Sequence, residues 1–271
     1  MMGFAMSIDQ TELPPVTISE CIKSSELNWI LKLNNLEGKS AQIATAISEG
    51  HALMVADGSY MAKQSTELGS AAWMIEDQQT GESCKGMVRT SGTEKEVNAY
   101  RSELQGLHAA LAGIRIICQH HQVNSGKITL CCDNEKALWL SSIRTIQVPL
   151  RTKHSDLIRA IQKIVLELPV QVAFQDVMGH QEKHVPYEEL DRPSQLNVDV
   201  DHEAKRYLRH LIDMADEDEL EEASHSILRE GWSCWLDGVK VTSDPVNEII
   251  QHVYYRKMKE HCATKEGLRY G

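Results

Sequence analysis

Asp57 closes an apolar run, Ala52 to Ala56, and Gly58-Ser59-Tyr60 follows at once. A carboxylate at the end of a core strand is costly to bury unless it is paired or holds a cation. A simple turn is the competing reading, because Asp-Gly-Ser is a common turn tripeptide. The pattern recurs at Lys127-Ile128-Thr129-Leu130-Cys131-Cys132, which ends in Asp133-Asn134 and leads into a helical run from Glu135 to Leu140. In an open α/β sheet, sites form at the C-terminal ends of strands, so two such carboxylates can converge. Converging carboxylates repel and shift towards their neutral forms unless divalent cations compensate them. Hard oxygen donors favour Mg2+ or Mn2+ over Zn2+.

The chain that must position these groups has 271 residues, 42% of them hydrophobic, enough for one good-sized domain with extensions. No apolar run approaches the roughly 20 residues of a membrane span. The N-terminus lacks the basic-then-apolar pattern of a secretory signal, so an intracellular protein of cytoplasm or nucleus is expected. The seven cysteines are scattered without a CxxC pair and read as reduced, buried residues. A net charge of −11 argues against a strong non-specific nucleic-acid binder. Much of that charge is concentrated between Asp213 and Glu222.

Residues 1–49 read as a partly helical N-terminal extension: a polar start, then helices over Glu26 to Leu36 and Ser40 to Ser48. From residue 50 the pattern changes. Ala52–Ala56, Ser70–Ile75 and Cys84–Thr90, punctuated by Gly69 and Thr80-Gly81, predict a three-strand antiparallel meander. A helix follows from about Glu96 to Cys118, with Tyr100, Leu104, Leu107, Leu111, Ile114 and Cys118 on one apolar stripe and Glu103 beside it. Its start is open between a Thr93/Glu96 capping box and a cap at Asn98. Beyond the Glu135 helix come an amphipathic helix from Ser155 to Leu168, a strand at Val170–Phe174 and a last helix near Asp201 to Ile212. This closes a domain spanning 50–212, and an acidic linker covers 213–225. The C-terminal extension, 226–271, pairs a hairpin around Asp237-Gly238 with a helix from Asp244-Pro245 through Lys259, whose Val246, Ile249, Ile250 and Val253 share a face. Arg256, Lys257 and Lys259 near its end either complement the helix dipole or touch nucleic acid.

This order of elements, with its carboxylates, resembles the ribonuclease H family, type 1, over about residues 50 to 212. Asp57-Gly58-Ser59 resembles the family's first-strand motif, and Tyr100-Arg101-Ser102-Glu103-Leu104 its first-helix motif. Cys132-Asp133-Asn134 with Ala137-Leu138 resembles the fourth-strand motif and its following helix. Gly179-His180 matches the mobile histidine loop. Asn197 to Lys205 resembles the last motif, an Asn four positions before an Asp that opens the final helix. The likeness is closest to versions found beside reverse transcriptases in retroelements. Three departures stand out: a long gap between His180 and Asp201, Glu135 and Trp139 where many relatives carry polar groups, and no basic protrusion rich in Trp and Lys.

The resemblance implies an α/β, ribonuclease H-like fold with a mixed five-stranded sheet, three antiparallel strands then two parallel, flanked by helices. It implies a metal-dependent endonuclease that cuts the RNA strand of an RNA/DNA hybrid. Asp57, Glu103, Asp133 and Asp201 are the implied ligands of two Mg2+ ions, for which Mn2+ substitutes. Asp57 is shared, Asp201 lies on the nucleophile side, and Glu103 and Asp133 hold the other ion. Two ions about 4 Å apart activate a water and stabilise the departing 3′ oxygen. His180 is implied to move protons or aid product release. Asp199 competes with Asp201, which is preferred because Asp201-His202-Glu203-Ala204 keeps the family spacing; Asp199 then sits in the helix's first turn. Gly58 and Ser59, with Glu103, are expected to read the 2′-hydroxyl. Asn98 and Arg101 are expected on the DNA strand or flanking phosphates, and Asn134 and Asn197 complete the substrate-binding set. The alternatives are a non-catalytic binding or assembly module, or a superfamily nuclease acting on DNA. A reverse transcriptase or another polyprotein-derived partner is implied, and no membrane.

Overall fold

The computed structural model describes residues 16–92, 95–142, 148–149, 152–216, 234–236, 239–241 and 244–267. The first helices and strands run α1 (Ile18–Ser24), β1 (Leu33–Asn34), α2 (Ser40–Glu49), β2 (Ala52–Tyr60), β3 (Gly69–Asp77), β4 (Ser83–Arg89) and α3 (Ala99–His120). Then come β5 (Lys127–Cys132), α4 (Glu135–Ser142), α5 (Ser155–Glu167), β6 (Gln171–Asp176), α6 (Arg192–Asp216), β7 (Cys234–Leu236), β8 (Val239–Val241) and α7 (Pro245–Gly267). The main sheet has the order β1-β4-β3-β2-β5-β6. β2, β3 and β4 form the antiparallel meander, while β5 and β6 join β2 in parallel.

β2 is central because both of its faces are apolar, as a strand covered on two sides requires. Met54 and Ala56 pack towards α3, whereas Leu53 and Val55 pack beneath Val200 and Ala204 of α6. α3 is buried on nearly every side, not along one stripe, because α1 and α2 close over the face that the sheet leaves open. Its N-cap is Asn98, whose side chain accepts from the Arg101 amide. Of the competing capping box, Thr93 lies outside the described residues.

Three expectations are corrected. The sheet has six strands, not five, because Leu33-Asn34 pairs antiparallel with β4. Glu26 to Leu36 is not a helix but a single 3-10 turn, Asn28–Ile30, and that edge strand. The last helix starts at Arg192, nine residues before Asp201. Asp191 accepts from the Ser194 amide at 3.0 Å, Pro193 sits in the first turn, and Arg192 pairs with the buried Glu76 of β3.

β7 and β8 pair as a hairpin, although its turn, 237–238, lies outside the described residues, as do the polar start, 1–15, and the linker beyond Asp216. α7 continues to Gly267, so Arg256, Lys257 and Lys259 stand mid-helix, where the dipole reading does not apply. Among the described residues, no helix is long and apolar enough to cross a membrane.

Candidate active site

The parallel ladder between β2 and β5 ends at Val55 opposite Cys131. β2 then runs on beside β3 alone, and a crevice opens between the two parallel strands at their C-terminal ends. Asp57 and Asp133 stand at its two lips. Gly58 allows α3 to press against β2: a Cβ on Gly58 would lie 2.3 Å from the Glu103 amide nitrogen. That approach brings Glu103 over Asp57, and the Gly58 N–H donates to both carboxylates, at 2.7 Å to Asp57 Oδ1 and 3.0 Å to Glu103 Oε2.

Asp57 is 4% exposed. Burial, then the charges of Asp133 and Asp201, pushes its carboxyl up to about 8. Burial and the neighbouring charges of Asp57 and Asp133 hold Glu103 well above the usual carboxylate range. Asp133 is raised by burial as well, offset by the nearby His180 and by a hydrogen bond from Asn197. Such a cluster of repelling acids is what a bound cation would relieve.

α6 brings the remaining groups one turn apart. Asn197 is 3% exposed and reaches Asp133, yet its Oδ1 has no hydrogen-bond partner among the described residues. Asp201 lies within electrostatic reach of Asp57 and Asp133, and its Oδ2 accepts from Lys205 Nζ at 2.6 Å. The ligand atoms of Glu103, Cys132 and Asp133 all lie within 4.8 Å of one another. The orphaned amide oxygen and the crowded carboxylates together fit a divalent cation.

His180 reaches the site across the long gap because α6 takes up much of that gap as extra helix. It is exposed, adopts a left-handed φ of 58°, and its Nδ1 lies 3.7 Å from Glu182 Oε1. The preceding Gly179 packs on Asp133: a Cβ there would meet Oδ2 at 2.4 Å.

The expected substrate-binding set is largely consumed by the fold. Arg101 is buried, paired with Asp156 at 3.0 and 2.7 Å, with its Nε donating to the Ser91 carbonyl. It is not available to phosphates. Asn98 caps α3 and donates to the Glu96 carbonyl. Asn134 caps α4 through the Ala137 amide at 3.0 Å. The Gly58 N–H is spent on carboxylates, and Ser59 is buried opposite Ser70. Asp199 is not in a first turn; it accepts from Tyr187 Oη at 2.9 Å. Sequence reasoning passed over Cys132 and Lys205, although one directly precedes Asp133 and the other stands at helical i+4 spacing from Asp201.

No family model matches the chain, and no curated protein matches it. Among solved structures, the N-terminal RNase H domain of a Mycobacterium tuberculosis protein, a fusion with maltose binding protein, is 12% identical with a TM-score of 0.39. That match covers 62% of this chain and 98% of the other. LC11-RNase H1 in complex with an RNA/DNA hybrid is 10% identical, with a TM-score of 0.43, over 59% of this chain and 99% of the other. LC9-RNase H1, described as a type 1 RNase H with the type 2 active-site motif, is 14% identical, with a TM-score of 0.40, over 77% and 85%. The chain's own sheet is an antiparallel meander whose first strand also pairs with the first of two parallel strands, with helices on both faces. The four motif carboxylates come from β2, α3, the end of β5 and α6, four elements far apart in sequence.

Proposed function

We propose that the protein is a metal-dependent endonuclease that hydrolyses the RNA strand of an RNA/DNA hybrid. The observation that carries this reading is the convergence of Asp57 and Glu103 on one amide, with Asp133 and Asp201 within electrostatic reach. Asp57, Glu103, Asp133 and Asp201 would hold two Mg2+ ions, with Mn2+ able to replace them. When bound, the ions supply a water activated for in-line attack on phosphorus and charge compensation at the departing 3′ oxygen.

The chain's own groups prepare that chemistry. Gly58 N–H orients the Asp57 and Glu103 carboxylates, and Asn197 orients Asp133. His180, exposed on its turn beside Asp133, is placed to carry a proton between the reacting oxygens and solvent. Descent from a retroelement, and a reverse-transcriptase partner, belong to this reading on the strength of the motifs alone.

The test is cleavage of a labelled hybrid beside duplex DNA and duplex RNA, with Mg2+ or Mn2+, by wild type and Asp57→Asn. Hybrid-only cleavage leaving 5′-phosphate and 3′-hydroxyl ends, lost in the variant, is expected. A wild type that cuts no hybrid with either ion refutes the proposal. One observation favours a second reading, a non-catalytic hybrid-binding module: Lys205 already pairs with Asp201. Hybrid binding that survives removal of divalent ions, with no cleavage, would establish it.

A further inference from the structure

Cys132 is the odd member of the centre. It is fully buried at the last residue of β5, and its sulfur accepts from the Asn134 amide at 3.4 Å and lies 3.8 Å from Glu103 Oε2. Its neighbour Cys131 packs among Leu53, Val55 and Val200 on the other face of the sheet, away from Glu103. A site of oxygen donors alone selects Mg2+, Ca2+ or Mn2+, whereas a thiolate turns the preference towards softer ions. Four-coordinate Zn2+, with bonds of about 2.0–2.3 Å, needs donor atoms roughly 3.5 Å apart. The sulfur and one carboxylate oxygen from each of Glu103 and Asp133 lie within 4.8 Å of one another, close to that spacing before any ion draws them in. A fourth donor stands beside them: Asn197 Oδ1, buried and without a hydrogen-bond partner among the described residues, on the amide that already bonds Asp133.

We propose that Cys132, Glu103 and Asp133 form a binding site for a thiophilic divalent cation of the Zn2+ class, which occupies the centre at the expense of Mg2+. Only the competition with Mg2+ rests on the nuclease reading; the site itself does not. On binding, the Cys132 S–H bond breaks, a sulfur–metal bond forms, and the proton leaves to solvent without any change of oxidation state. A chain with a hydroxyl or methyl group at this position would lack the preference.

The experiment titrates the full-length, reduced protein with Cd2+, free of nucleic acid, and reads the ultraviolet thiolate-to-cadmium charge-transfer absorption. A band that saturates at one equivalent, collapses on adding Zn2+, is lost in Cys132→Ser and persists in Cys21→Ser is expected. Cys21 is the informative control because its sulfur lies 3.4 Å from His120 Nδ1, a second described thiol beside a metal-binding donor. Glu103→Gln, which keeps the thiol, is expected to retain the band with Cd2+ bound at least tenfold more weakly. It serves as the primary variant if circular dichroism shows Cys132→Ser to be unfolded. No band in the wild type, an undiminished band in Cys132→Ser, or unchanged affinity in Glu103→Gln overturns the proposal. Hybrid cleavage in Mg2+ alone is measured separately. If cleavage is absent while the band behaves as expected, the nuclease reading falls and this site stands.

Discussion

Asp57 holds its carboxyl where a charge is least welcome, between a buried strand and two other acids. Its folded-state value of about 8 lies far above the 3.8 of an unfolded chain, so across that interval the native state keeps a proton that the unfolded state has lost. Stability from this group is therefore present below pH 4 and is lost as pH rises towards 8. Asp57→Asn, which removes the charge and keeps the shape, should raise metal-free stability at pH 8 by about 2 kcal/mol, or roughly 5 °C in melting temperature. On the proposed metal reading, divalent ions should stabilise the wild type and the same variant should lose that effect. Thermal melts at pH 5 and pH 8, with and without Mg2+, measure both effects, and an unchanged metal-free melt would refute the electrostatic account. Lys205 supplies a second expectation. Lys205→Met frees Asp201 Oδ2 and should shift the midpoint of a Mg2+ thermal-shift titration to lower concentration.

At the scale of elements, the frame that carries Glu103 is tied down by a buried polar knot. Arg101 of α3 pairs with Asp156 of α5, and its guanidinium also meets His154, the residue that opens α5 in a left-handed conformation at φ 59°. Removing one partner strands the other as an uncompensated buried charge, so Arg101→Met should cost about 3–5 kcal/mol in urea denaturation. Burial holds His154 at about 4, and His108, whose ring lies tilted beside Trp29, also at about 4. Both values lie below the 6.5 of an unfolded histidine, so the native state takes up fewer protons there. Their contribution is complete above pH 6.5 and drains away as pH falls towards 4. A loss of urea stability over that interval, reduced in His154→Gln, is the expected outcome.

For the whole molecule, the two extensions differ in kind. Ile18, Ile22, Ile30, Leu31 and Leu36 belong to the same core as Leu107 and Leu111 of α3, so the N-terminal segment is part of the sheet's packing and not an appendage. A chain beginning at residue 50 should lose cooperative unfolding and expose apolar surface to dye binding. α7 instead leaves Val246, Ile249, Ile250, Val253, Tyr254 and Tyr255 between 41% and 65% exposed. A chain ending at Asp216 should therefore melt within about 2 °C of the full-length protein, which differential scanning calorimetry reads directly.

Much of this arrangement is legible in the order of residues. Period-two and period-3.6 patterns mark the meander, α3, β5 and α5, because each buries a face through its own local repeat. Asp57 and Asp133 betray themselves as charges where apolar runs stop, although β2 itself continues past Asp57 to Tyr60 beside β3. The early start of α6 was also legible, in Asp191-Arg192-Pro193-Ser194, a capping signal hidden inside what reads as an insertion. Tertiary structure alone decided the rest. A two-residue edge strand has no period of its own and exists only because β4 offers it an unpaired edge. Arg101 reads as a surface cation until α5 delivers Asp156 to it across 55 positions of chain. Which side chains share the crevice depends on where the β2–β5 ladder ends and how closely Gly58 lets α3 approach. Both are distances between elements remote in sequence, which no local pattern encodes.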